Sequence, residues 1–155
     1  MKKIFSIMFA IVLVWLVSVP VVFSFWGNKS ESLTPKNGIL QIPIAEITDG
    51  KAHFFEVKAH DGITVSFFVI KSSDGVIRAA IDACDVCYRS GKGYVQKGDF
   101  MVCTNCGRKF ASTKINEVKG GCNPAPLKRK VSDKNLIIEM KDINENSWYC
   151  KYKRQ

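Results

Sequence analysis

Ala83-Cys84-Asp85-Val86-Cys87-Tyr88 and Val102-Cys103-Thr104-Asn105-Cys106-Gly107 are two Cys-x-x-Cys pairs, with fifteen residues, Tyr88 to Val102, between them. A two-residue gap lets both thiolates of a pair face the same side of a tight turn. A tetrahedral metal or an iron-sulfur cluster needs four such soft donors at one point. Two pairs at this spacing therefore predict one thiolate centre built from Cys84, Cys87, Cys103 and Cys106. Gly107 sharpens the second turn, because glycine takes the positive φ that aims backbone N–H groups at sulfur. The first pair is followed by Tyr88 instead and reads as the less regular of the two.

Outward from the pairs, the flanking pattern is that of strands. Asp49-Gly50, Asp61-Gly62 and Asp74-Gly75 recur at twelve and thirteen residues, and Asp-Gly supplies the positive φ of hairpin turns. Ile39–Ala45, Ala52–Lys58, Ile63–Ile70 and Val76–Ala83 are the strands this rhythm predicts, as one meander. In the third, Ile63, Val65, Phe67 and Val69 share one face and Thr64, Ser66, Phe68 and Ile70 the other, so both faces are largely apolar and the strand is buried. A short strand over Asp99–Val102 delivers Cys103, with Phe110 packing beneath the second turn. Asn135–Lys141 and Ser147–Tyr152 read as a closing hairpin around Asp142–Asn146. The expectation is a small, mainly β domain of zinc-ribbon-like or Rieske-like kind.

Before that domain, Met1-Lys2-Lys3 precedes 23 uncharged residues, Ile4 to Trp26. This length spans a bilayer, and the leading lysines predict a cytoplasmic N-terminus with the remainder outside. A cleaved signal peptide is the competing reading. The division expected is an N-terminal membrane anchor or signal peptide over 1–26, a polar linker over 27–38 and a cysteine-rich metal-binding domain over 39–155. The chain would sit in the cytoplasmic membrane as a single-pass protein with its C-terminal domain extracytoplasmic.

The 155 residues carry a formal net charge of +9. The basic residues are dispersed and no nucleic-acid motif accompanies them, so nucleic acid is not the expected partner. Between Ile81 and Cys122 seven Lys or Arg face four acids, an excess that would offset the negative charge of a metal bound to four thiolates. Cys87 and Cys106 lack a following histidine, which excludes covalent c-type haem, and neither pair opens a helix after a strand as a thioredoxin-like thiol requires. His53 and His60 lie on the meander and read as ordinary surface or turn residues. A metal-binding or redox protein is favoured over a turnover enzyme. On spacing alone zinc is favoured, and copper(I) also suits thiolates.

The run from Asp74 through Cys84, Cys87, Met101-Val102-Cys103-Thr104-Asn105-Cys106-Gly107 and Gly121-Cys122-Asn123-Pro124-Ala125-Pro126-Leu127 resembles the layout of Rieske domains. There a hairpin leads into one ligand loop, a second follows, and a proline-bearing loop covers the cluster. Here cysteines stand at the histidine positions and the first loop is one residue longer. Asp82 to Tyr88, Gly91 to Tyr94, Met101 to Gly107 and Gly120 to Leu127 are similar, end to end, to the membrane iron-sulfur-containing, FtrD-like proteins associated with bacterial ferrous-iron transport. That resemblance implies a membrane-attached iron or iron-sulfur centre that works in electron transfer or iron handling beside a membrane redox or iron-transport partner. Zinc in a structural interaction domain is the alternative. Cys122 is then a fifth thiol near the centre, an alternative ligand, or a disulfide partner for Cys150.

Overall fold

The computed structural model describes residues 30–153. The apolar run over 4–26 lies outside the described residues, and among those described no helix is long and apolar enough to cross a membrane. Ten strands form three sheets. The first contains β1 (Glu31–Ser32), β3 (His53–Lys58), β4 (Thr64–Lys71) and β5 (Ile77–Ile81) in that spatial order. The second is β2 (Ile39–Pro43), β10 (Asn135–Glu139) and β9 (Lys130–Val131), and the third is β6 (Tyr94–Lys97), β7 (Phe100–Cys103) and β8 (Lys109–Ala111). All pairings are antiparallel except β1 with β3. That parallel pair ties down part of the stretch expected to be a tether.

The side-chain alternation of β4 divides the interior. Val65, Phe67 and Val69 join Ala79 and Ile81 of β5 on one face, against Leu40 and Ile42 of β2 and Leu136 and Ile138 of β10. Phe68 and Ile70 point the other way with Ala80, against Tyr94, Met101, Cys103 and Ile115. Period-two geometry in a strand apolar on both sides therefore places the first sheet between the second sheet and the cysteine-bearing third. Phe67 and Phe68 are both fully buried, and each contributes about 1.5–3 kcal/mol.

Two Asp-Gly turns behave as hairpin chemistry predicts. At β3–β4 the N–H of Gly62 donates to the Ala59 carbonyl at 3.0 Å and Asp61 accepts from the N–H of Ile63. At β4–β5 the N–H of Gly75 donates to Ser72 at 2.8 Å and Asp74 accepts from Val76. Asp49-Gly50 bends the chain similarly, with Gly50 at φ 75°, but it links β2 to a different sheet. The four-strand meander is thus a three-strand meander, because β2 buries Leu40 and Ile42 beside Leu136 and Ile138 of β10.

The closing hairpin is also replaced. After β10 the chain forms a helix, α1 (Met140–Glu145), and then a 3-10 turn over Ser147–Cys150. Met140, Ile143, Ser147 and Cys150 recur at helical spacing, and Ile143 and Cys150 are buried in the main core with Met140 packed against it. That one-sided apolar stripe needs a helical backbone, and Asp142, Asn144 and Glu145 form its polar side, with Asn146 at its end, instead of a hairpin turn.

Candidate metal centre

Strand β5 runs on through Asp82 and Ala83 to Cys84, and its extension is held from two sides. The N–H of Asp82 donates to the Ser66 carbonyl at 2.9 Å, while the N–H of Ile81 donates to the Ala125 carbonyl at 2.8 Å and the N–H of Ala125 to the Ala83 carbonyl at 2.9 Å. The proline-bearing segment thereby pairs along the approach to the first cysteine turn, and an isolated bridge joins Ala80 to Pro126. In that turn the N–H of Cys87 points at Sγ of Cys84 at 3.2 Å and the N–H of Tyr88 bonds the Cys84 carbonyl. A 3-10 turn, Tyr88–Ser90, ends at Gly91 and returns the chain to β6.

The second turn hangs between β7 and β8. Cys103 pairs with Tyr94 across the sheet, the N–H of Gly107 bonds the Cys103 carbonyl at 2.9 Å, and Gly107 has φ 74°. The positive φ lets the next N–H, that of Arg108, reach the Cys106 sulfur, and this holds the Cys106 thiol below its ordinary pKa. Thr104 fastens one ligand loop to the other. Its N–H and its hydroxyl both donate to the Gly93 carbonyl, at 3.0 and 2.9 Å.

Five thiols converge as a result. The sulfurs of Cys84, Cys87 and Cys103 lie within 4.8 Å of one another, and so do those of Cys87, Cys106 and Cys122. A tetrahedral ion with sulfur at about 2.3 Å spaces its thiolates about 3.8 Å apart, so small side-chain rotations close either triad on a metal. The donors are uniformly soft, three of them (Cys84, Cys103 and Cys106) receive backbone N–H groups, and exposed Arg108 and Lys109 stand beside them. The residues fit a thiolate-bound metal or iron-sulfur cluster, which when bound would supply the redox chemistry.

Burial is graded across the cluster. Cys84 and Cys103 are 1% and 2% exposed, Cys87 and Cys122 are half-buried, and Cys106 is exposed. Burial pushes the Cys103 thiol up to about 11 and also raises Cys122. At Cys87 the Asn105 amide pulls downward, but burial and the neighbouring thiols leave the balance raised. Metal binding must therefore displace the proton of Cys103, and it becomes weaker on acidification.

The sixth cysteine is elsewhere. Cys150 is buried under β4, where the N–H of Ser66 donates to its sulfur at 3.4 Å, and all six cysteines are free thiols. A Cys122–Cys150 disulfide is thus not formed. His53 pairs with Asp49 at 2.8 Å and His60 lies on the β3–β4 turn, both away from the thiols.

Several residues without a motif support the centre. Asp82 is buried, and burial raises its pKa against the opposing pull of Lys153, whose ammonium lies at 2.5 Å, and of the N–H of Tyr94 at 2.7 Å. The hydroxyl of Tyr94 donates to the Cys122 carbonyl at 2.6 Å. Tyr88 meets Trp148 edge-on at 5.1 Å and Tyr152 at 5.9 Å, and Tyr149 bonds Asp85 between Cys84 and Cys87. The aromatic side chains near the C-terminus could have been noticed in the sequence, whereas nothing there places them beside Cys87.

A mainly β domain in which loops of two sheets bring five thiols together defines a thiolate metal-binding protein. The chain belongs to the family described as membrane iron-sulfur containing protein FtrD-like, which matches residues 47–149. Among solved structures, the quaternary ammonium Rieske monooxygenase CntA, in complex with an inhibitor, is similar with a TM-score of 0.46 and 15% identity. The match covers 73% of this chain and 32% of that one, so the present chain corresponds to about a third of the monooxygenase. No curated protein matches the sequence.

Proposed function

We propose that this protein is a membrane-anchored, extracytoplasmic electron carrier or iron-handling protein whose iron-sulfur centre is held by Cys84, Cys87, Cys103 and Cys106. The observation that carries the reading is the burial gradient across the thiols. Cys84 and Cys103 anchor the inner side in a dry core, and Cys106 brings the outer edge to solvent. An inner side shielded from water limits hydrolysis of a cluster, and an exposed edge lets electrons or a metal ion pass to a partner. A purely structural ion has no use for the second property.

The surroundings suit a membrane setting. The run over 4–26 behind Lys2 and Lys3 supplies the anchor, with the domain outside. Beside the first ligand loop, Trp148 and Tyr152 are 44% and 46% exposed, and Arg89, Lys92 and Lys151 are exposed near them. This aromatic and basic face fits a redox or iron-transport partner at the anionic membrane surface. Replacing the imidazoles of a Rieske centre by thiolates makes the centre more electron-rich, so a low potential is expected.

The test is metal and acid-labile sulfide analysis, with visible absorption and EPR, on the full chain purified in detergent without air. Stoichiometric iron and sulfide, with colour that bleaches on reduction, is the expected result. Stoichiometric zinc in a colourless, EPR-silent sample would show a structural zinc domain instead, and a copper(I) load would show a copper carrier.

A further inference from the structure

Five thiols meet where four suffice. Cys84, Cys87 and Cys103 form one triad, and Cys87 is shared with the second triad of Cys106 and Cys122. A tetrahedral ion that takes the first triad has one place left, and a two-iron cluster that takes Cys84 and Cys103 inside has two places outside, one of them filled by Cys87. On either count Cys106 and Cys122 face a single remaining position.

We propose that Cys106 and Cys122 are alternative ligands for that position and exchange there, one bound while the other is a free thiol. The inference rests on the reading that these thiols hold a metal, and it holds for iron or zinc alike. The two donors differ in the way an exchange requires. Cys106 lies in a run, residues 104–109, that is exposed throughout. Cys122 is carried by a segment fixed against the site: Tyr94 bonds its carbonyl at 2.6 Å, and Asn123 folds back on Gly120 through its N–H and its side-chain amide. Gly120 and Gly121, at φ 85° and 62°, make the reversal that turns the thiol inward. A spectator thiol needs none of this, as Cys150 shows in its site under β4. In the exchange the Cys106 thiolate leaves the metal and takes a proton, while the Cys122 thiol gives up a proton and binds. Net charge and oxidation state are unchanged.

Cobalt(II) titration of the full chain, reduced and freed of metal in detergent, tests this without depending on the native metal. The intensity of the sulfur-to-cobalt charge-transfer band counts the bound thiolates. Cys106→Ser and Cys122→Ser should each keep the four-thiolate intensity of the unaltered chain, and the double variant should fall to three with at least about a tenfold loss of cobalt affinity. Cys150→Ser serves as the control for thiol removal as such. Loss of the fourth thiolate in Cys106→Ser alone, or its retention in the double variant, would overturn the exchange, as would a failure of the unaltered chain to show four thiolates. Native zinc would overturn the proposed electron carrier and leave the cobalt result to stand.

Discussion

The side-chain amide of Asn105 donates to Sγ of Cys87 at 3.4 Å, from the second cysteine turn to the first. The bond fills a gap in the first loop. Gly107 lets a backbone N–H reach Cys106, but Tyr88 follows Cys87, and the Cys87 sulfur draws its donor from a side chain eighteen positions on. Hydrogen bonds to sulfur stabilise the more negative, reduced state of a thiolate-bound redox centre. Asn105→Ala should therefore lower the reduction potential. If the bond favours the reduced state by about 1 kcal/mol, the shift is about 40 mV for one electron. Potentiometric EPR titration of the two proteins measures it, and an unchanged potential would mean that the amide does not reach the bound sulfur.

Gly93 packs against Asp82, on the approach to the first cysteine turn, and accepts from Thr104 of the second. It sits at φ 70°, and a Cβ there would lie 2.3 Å from Oδ2 of Asp82, a buried carboxylate already held by Lys153 and Tyr94. Its carbonyl also takes both hydrogen bonds of Thr104. Gly98 has φ 59° with nothing within 4 Å of such a Cβ. Gly98→Ala then costs only the backbone strain, about 1–2 kcal/mol, and Gly93→Ala adds overpacking of about 1–3 kcal/mol. Urea denaturation of both variants gives the comparison, and equal losses would refute the steric argument.

The residues that could be read in advance are those whose meaning is local. Asp61-Gly62 and Asp74-Gly75 turn the chain because of their own φ preferences, Phe67 and Phe68 are buried because alternate side chains point to opposite faces, and two Cys-x-x-Cys turns converge by spacing. What could not be read depends on partners distant in the chain. Asp49-Gly50 carries the same local signal but joins two sheets, because β2 finds β10 almost a hundred residues later. The helix at Met140 is dictated by the core that Ile143 enters, and whether Cys122 pairs with Cys150 or joins the other thiols is decided by where their loops dock. Nothing local to Asp82 marks it as a buried carboxylate, because its partner Lys153 lies 71 residues on in the chain.

Arg78 gives a pH dependence away from the metal. Its guanidinium is buried, and Asp74 grips it with both carboxylate oxygens, at 2.7 and 2.9 Å. The Arg78 bond holds the Asp74 carboxyl below its ordinary 3.8. A depressed carboxylate stabilises the fold above its unfolded-state pKa and loses that contribution as pH falls through the lower folded-state value. Asp74→Asn should accordingly melt below the unaltered protein at neutral pH, with the gap closing as pH falls below 3.8 through the lower folded-state value. Comparing the two proteins removes the acid loss of metal common to both. A gap that does not change with pH would show that the bond works through shape instead of charge.

Cys103 and Cys150 are both buried thiols, and the neighbours of each sulfur agree with the Cys-x-x-Cys spacing that sets Cys103 apart. Cys103 stands in a sulfur triad with Cys84 and Cys87, whereas the hydrogen-bonded neighbour of the Cys150 sulfur is the Ser66 backbone. Cys103→Ser replaces a soft donor by a hard, weakly acidic hydroxyl on the inner side of the centre, and no other thiol stands in reserve there. It should lower the metal load of the purified protein well below that of the unaltered chain, although the triad of Cys87, Cys106 and Cys122 remains. Cys150→Ser should retain the full metal load, and its cost is confined to folding, about 1 kcal/mol for a small buried group exchanged for a more polar one of similar size. Metal analysis of the two proteins beside their urea midpoints separates the effects. Retention of metal by Cys103→Ser would remove that residue from the ligand set, and loss of metal by Cys150→Ser at unchanged stability would bring the sixth thiol into it.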